Sequence, residues 1–136
     1  MFIGNKFKCN VCNSQLNSFI GIEKDKLCPR CGSIKRTRRL WKILTDDFLK
    51  GNKIILDFSP SRSVCRLMKK SYNTYVSSDL SGDFIADMAF EITKIDALDE
   101  NFDLVICYHI LEHVVEDEKA MDELWSIIRK KGSCII

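Results

Sequence analysis

No segment of this chain is apolar over enough residues to serve as a signal peptide or to span a membrane, so the sequence reads as cytoplasmic and free of membrane. Net charge is scarce as well. Lys and Arg number 21 against 19 Asp and Glu, and the resulting +2 is too small to imply nucleic acid or an anionic membrane as the main partner, although basic residues cluster locally. The cysteine count argues against an ordinary disulfide framework. There are seven, an odd number; four fall in C-x-x-C pairs and Cys65, Cys107 and Cys134 lie in apolar context, which favours metal and buried thiols. Internal repeats and low-complexity segments are missing too. What is present is a globular balance of 46% hydrophobic and 29% charged residues, enough for a real core within one compact domain or a small module joined to a partial larger one.

Residues 1–33 are polar and turn-rich, with Cys9-Asn-Val-Cys12 and Cys28-Pro-Arg-Cys31 separated by fifteen residues. Each pair is a tight turn that aims two sulfurs at one point, and two such turns make the closed four-sulfur shell of a structural zinc ribbon. So short a segment cannot bury a sufficient core, so metal binding would supply its folding free energy. With all four positions filled by Cys9, Cys12, Cys28 and Cys31, none is left for water, and the zinc is expected to be structural.

Residues 34–51 are expected to form a connecting helix, with Leu40, Trp41, Leu44 and Phe48 at helical spacing and an end near Gly51. Lys35, Arg36, Arg38, Arg39 and Lys42 make it basic. A solvated helix face is the preferred reading; nucleic acid is considered but not favoured.

From residue 52 to 136 short apolar runs alternate with helical stretches. Strands are expected at 53–58, 74–79, 83–88 and 102–108, helices at 61–71 and about 116–130, and a further strand from Gly132. The helical face from 116 to 130 is read as Ala120, Leu124, Ile127 and Ile128. This alternation predicts an α/β fold, a doubly wound parallel sheet, in which ligands bind at the carboxyl ends of the strands. The residues there are Ser59-Pro-Ser-Arg-Ser63, Asp79, Glu91 and Tyr108-His109. An acid ending the second strand is the group that accepts hydrogen bonds from the ribose of a nucleoside cofactor, although such acids also cap turns.

The runs ILDF, YVSSDL and FDLVICYHILEHV, with the ending KKGSCII, resemble a class I S-adenosylmethionine-dependent methyltransferase of the type 11 kind. The ribbon followed by CGSIKRTRRLWKIL is similar to a bacterial subgroup that carries such a ribbon in front. The resemblance implies a Rossmann-like sheet and S-adenosylmethionine as cofactor. It implies Asp79 on the ribose with Leu80 beside it, Glu91 and Ile92 at the adenine, and the backbone of Tyr108 and His109 at the methionine end. Asp57 lies where several relatives carry an acid, which can equally cap structure. The family's usual first loop is G-x-G-x-G, whereas this chain has Ser59, Ser61 and Ser63 around Pro60 and Arg62. Serine hydroxyls and Arg62 are read as contacts to the cofactor's carboxylate, against an inert turn that starts the helix. Because the family's sheet has seven strands, the chain is also read as an enzyme truncated in its fifth strand.

The motif His109-Ile-Leu-Glu112-His113 has the H-x-x-E-H spacing of an inverted metalloprotease site. That chemistry needs both histidines and the glutamate on one helix plus a further ligand downstream. His109 instead follows an apolar strand directly, and only 23 residues remain after His113. Glu112 and His113 are read as holding the turn. The expected function is transfer of a methyl group from S-adenosylmethionine to a small or biosynthetic acceptor, with no catalytic base assigned. The alternative is a non-catalytic zinc-ribbon binding or regulatory protein on a degenerate methyltransferase fold.

Overall fold

The computed structural model describes residues 1–72, 74–82 and 85–136. They divide into two compact units, residues 1–50 with 61–68, and residues 51–60 with 69–136.

The first unit begins with β1 (Ile3–Lys8), paired antiparallel with β2 (Gln15–Leu16), followed by the hairpin of β3 (Ile20–Ile22) and β4 (Asp25–Leu27). Six-, two- and three-residue strands cannot bury a core of their own. The buried side chains here are Cys9, Val11, Leu16 and Cys28, with Trp41 and Leu67 packed against them. Helix α1 (Lys35–Ile43) supplies Trp41 and ends in a π-helical turn, Leu44–Phe48, where the Leu49 N–H reaches back to the Leu44 carbonyl at 2.9 Å. Leu40 and Leu44 are buried, as their spacing requires, while Trp41 and Phe48 stay partly open.

The second unit is a four-stranded parallel sheet in the order β6-β5-β7-β8. Its strands are β5 (Ile55–Phe58), β6 (Tyr75–Ser78), β7 (Phe102–Ile106) and β8 (Ile128–Ile135). All four residues of β5 are buried, as befits a central parallel strand covered on both faces. Leu56, Phe58, Phe102, Val105 and Cys107 form one buried cluster with Ile95 and with Leu124 and Ile127 of α3 (Asp117–Ile127). Each such side chain removed from water contributes roughly 1.5–3 kcal/mol. Helix α2 (Arg62–Ser71) buries Ser63, Val64, Cys65 and Met68.

Three expectations are corrected. The strand expected over 83–88 begins at Asp83 and Phe84, which lie outside the described residues. Of the rest, Met88 makes a single parallel bridge to Ser78, extending the sheet on its β6 side. The last helix stops at Ile127, not near Lys130, because Ile128 takes extended backbone and opens β8 without an intervening loop. Arg129 can then reach from β8 to Asp103 Oδ2 on β7 at 3.2 Å, and the same oxygen accepts the Ile54 N–H at 2.8 Å. The remaining strands are shorter than expected at their ends.

Candidate functional site

In the first unit both cysteine turns have the same build. The N–H of Cys9 donates to the Ser14 carbonyl at 3.0 Å and that of Cys28 to the Ser33 carbonyl at 2.9 Å. The N–H groups of Asn13 and Gly32 return to the carbonyls of Cys9 and Cys28 at 2.8 and 2.9 Å. This closure requires a left-handed residue after the second cysteine, and Asn13 (φ 59°) and Gly32 (φ 74°) are the two residue types that adopt it most readily. The repeated C-x-x-C-[NG]-S pattern was therefore a readable signal beyond the cysteines themselves.

The four sulfurs lie within 4.8 Å of one another. Cys9 and Cys31 Sγ are 3.8 Å apart, and Cys12 and Cys28 Sγ 3.7 Å. Four sulfurs at about 2.3 Å from a central zinc would be separated by about 3.8 Å at tetrahedral angles, so the residues fit the ion. Burial pushes the Cys31 thiol up to about 12. For Cys9 burial acts in the same direction, but the Ser33 hydroxyl and the N–H groups of Cys12 and Val11 outweigh it and hold the thiol at about 7. Among the described residues this is the one group of three or more potential ligands drawn together; His109, Glu112 and His113 form no such group.

In the second unit, Asp79 follows directly on β6 and Ser59 directly on β5. The Ser59 hydroxyl donates to Asp79 Oδ1 at 3.0 Å, and the Ser81 hydroxyl donates to Oδ2 at 2.9 Å. The acid and the glycine-free first loop thus meet across adjacent strand ends. Ser59 itself has φ 46°, so its backbone takes the left-handed turn that a glycine would otherwise supply. His109, three residues beyond Ile106 at the end of β7, has φ 59°. Non-glycine residues in this region cost on the order of 1–2 kcal/mol and persist only where the surroundings impose them. Two of them stand at the neighbouring carboxyl ends of β5 and β7, and Glu100 (φ 49°) and Lys131 (φ 66°) share this backbone elsewhere in the unit.

The His109 ring stands edge-on to Tyr108, centroids 4.4 Å apart, and its Nδ1 pairs with Glu112 Oε1 at 3.0 Å. That hydrogen bond lowers the Glu112 carboxyl. Glu112 thereby fixes the His109 ring, while the His113 N–H closes the turn on the Ile110 carbonyl at 2.9 Å. Leu80 is 61% exposed next to Asp79, an apolar side chain left open beside a carboxylate.

The other candidate residues are placed differently. Asp57 is inside β5, 2% exposed, and its Oδ2 accepts the Tyr75 hydroxyl at 2.8 Å. Burial raises its carboxyl to about 7 against the lowering effect of that hydroxyl. Ser61 is exposed and caps α2, accepting the Val64 N–H at 3.4 Å. Arg62 is exposed in the first turn of that helix. Glu91 is exposed, and its Oε1 accepts the Thr93 hydroxyl at 2.7 Å. Ile92 packs partly against the sheet core. Asp87 is a brace within the second unit. Its Oδ2 accepts both the N–H and the hydroxyl of Ser77, at 2.9 and 2.8 Å, and its Oδ1 pairs with Lys69 at 2.9 Å.

Comparison with known proteins agrees with this geometry. A family described as a methyltransferase domain matches residues 56–136. A Bacillus halodurans protein described as a candidate methyltransferase superimposes with TM-score 0.56 at 21% identity, over 70% of this chain and 44% of that one. The YcgJ protein of Bacillus subtilis superimposes with TM-score 0.50 at 14% identity, over 61% of this chain and 42% of its own. The chain therefore spans less than half the length of either structure, and their likeness bears on the fold. No curated protein matches in sequence. With a parallel sheet, an acid on the second strand end and a family match over more than half its residues, the chain belongs to the methyltransferase-domain family, in its class I Rossmann-like form.

Proposed function

We propose that this chain binds S-adenosylmethionine along the carboxyl ends of β5, β6 and β7, transfers its methyl group to an acceptor nucleophile, and holds a structural zinc on Cys9, Cys12, Cys28 and Cys31. The observation that carries the proposal is the Ser59–Asp79 contact, which sets a carboxylate at the sheet's ligand-binding edge with an apolar neighbour. Both carboxylate oxygens are already held by serine hydroxyls, so the acid is oriented before any ribose arrives. The ribose hydroxyls would replace or share these donors.

Leu80 offers an apolar surface beside the ribose, and the carboxylate of Glu91 an acceptor for the adenine amino group. The left-handed turn at Ser59 brings the first loop's backbone close to the methionine end, where a side chain bonded to the acid takes the place of glycine. The turn at Tyr108-His109 flanks the same edge. The sulfonium of the cofactor supplies an already activated methyl group, so the chain's own contribution is alignment of donor and acceptor and exclusion of water. Asp57 supports the strand from within through Tyr75.

The proposal is tested with methyl-tritiated S-adenosylmethionine and fractionated metabolite extracts, with Asp79→Ala as the control. Label transferred by the natural chain and strongly reduced in the variant is expected. Cofactor binding with no transfer to any fraction would instead favour a binding module on a methyltransferase fold.

A further inference from the structure

The two compact units share the chain's charge very unequally. Residues 1–50 with 61–68 hold thirteen Lys and Arg against four Asp and Glu; residues 51–60 with 69–136 hold eight against fifteen. A chain of net +2 is thus a +9 unit joined to a −7 unit. Four thiolates around one divalent zinc would bring the first to about +7.

This excess is not neutralised within the unit. Among the described residues its one ion pair is Lys42–Asp46 on the helix surface. Asp25 uses Oδ1 on the backbone N–H groups of Lys26 and Lys35, and Arg38 donates to the carbonyls of Ser33 and Lys26. Like charge gathered on a module this small repels itself, so its natural counterpart is a polyanion.

The arrangement indicates which polyanion. Lys35, Arg39 and Lys42 recur at i, i+4 and i+7 on α1 and are exposed, a ridge about 10 Å long at about 1.5 Å per residue. On β1, Phe7 is 51% exposed, with the exposed Lys6 and Lys8 beside it in sequence. Phe7 stands 6.0 Å from the Phe19 ring, and Arg38 lies over Phe19 at 4.4 Å, so the open ring is braced from behind by a stack that joins β1 to α1. An exposed aromatic ring on a module rich in exposed cations is the composition of a single-strand platform. An anionic membrane fits less well, because the apolar positions Leu40 and Leu44 of this helical segment are buried and leave it no apolar face to insert.

We propose that the first unit binds single-stranded nucleic acid, with Lys35 and Arg39 among the residues that engage phosphates and Phe7 stacking on a base. This function stands whether or not the second unit transfers a methyl group. The test is fluorescence anisotropy of a labelled oligouridylate with the zinc-loaded full chain, over about 50 to about 200 mM KCl. Saturable binding that weakens steeply with salt is expected. Lys35→Glu with Arg39→Glu should weaken it at least about tenfold and reduce the log–log salt slope by about 1.4, the share of two phosphate contacts. Phe7→Ser should weaken it by about fivefold or more with the slope unchanged. Lys130→Glu with Lys131→Glu, in β8 of the acidic unit, should leave it as it was. Retained zinc and an unchanged melt establish that each variant is folded. No saturable binding at low salt, equal binding by the natural chain and the Lys35/Arg39 variant, an equal loss in the Lys130/Lys131 variant, or tighter binding to phosphatidylserine vesicles than to the oligonucleotide would each overturn the proposal.

Discussion

Asp57→Asn should stabilise the second unit at neutral and alkaline pH and flatten its pH dependence. The carboxyl is buried in the central strand with the Tyr75 hydroxyl as its hydrogen-bond partner, and burial raises it from the ordinary 3.8 to about 7. Between about pH 4 and about pH 7 the folded chain keeps a proton that the unfolded chain has released. Stability therefore falls as pH rises through that window and levels off above it. A difference of roughly 3 pH units at about 1.4 kcal/mol each gives an upper figure of about 4 kcal/mol, and relaxation around the carboxylate brings the expected gain at pH 8 to about 2–4 kcal/mol. Below about pH 3 the gain should vanish, since the aspartic acid is then neutral in both states. Asparagine keeps the volume and an oxygen for Tyr75. Urea unfolding followed by circular dichroism at several pH values measures the difference. A variant less stable than the natural chain at pH 8, or a difference independent of pH, would refute the reasoning and point to an ionised Asp57 with a compensating partner.

Gly132→Ala should cost about 1–3 kcal/mol through overpacking, because its Cβ would stand 2.6 Å from Ile128 Cγ2, 2.9 Å from the Arg129 carbonyl oxygen and 3.1 Å from that of Asp103. A urea midpoint equal to the natural one would show that β8 yields there. Metal analysis of protein purified without chelator should return one zinc per chain, lost when Cys9 and Cys28 are both changed to serine; zinc retained in that variant would place the ion elsewhere. Asp87→Ala should lower stability by about 1–3 kcal/mol, since it leaves the buried Ser77 groups without their acceptor, and an unchanged thermal melt would contradict the brace.

Much of the fold was legible because it rests on local periodicity. The run ILDF reads as a strand covered on both faces, and Phe102–Ile106 as another, since short, mainly apolar runs suit the strands of a parallel sheet. The four cysteines were legible because metal geometry fixes their spacing. The boundary between α3 and β8 was not, because Ile127 and Ile128 are equally apolar and it is pairing with β7, remote in sequence, that pulls Ile128 into the sheet. The role of Asp57 depends on Tyr75, eighteen residues away, and that of Asp87 on Ser77; such pairings leave no periodic trace. The serine loop looked like a lost glycine motif, yet its backbone keeps the left-handed turn and its hydroxyl takes hold of Asp79. The charge imbalance between the units was hidden by a near-neutral total.

The claim that this chain binds S-adenosylmethionine through the Ser59–Asp79 edge is tested most directly by calorimetric titration with S-adenosylhomocysteine, comparing the natural chain with Asp79→Ala. Hydrogen bonds to a charged group are worth roughly 1.5–3 kcal/mol each. Because Ser59 and Ser81 must give up or share the same oxygens, the net loss should lie at the lower end, a fall in affinity of about tenfold to hundredfold with zinc content and melting unchanged. A natural chain that releases no heat with the ligand, or a folded variant that binds it equally well, would contradict the assignment.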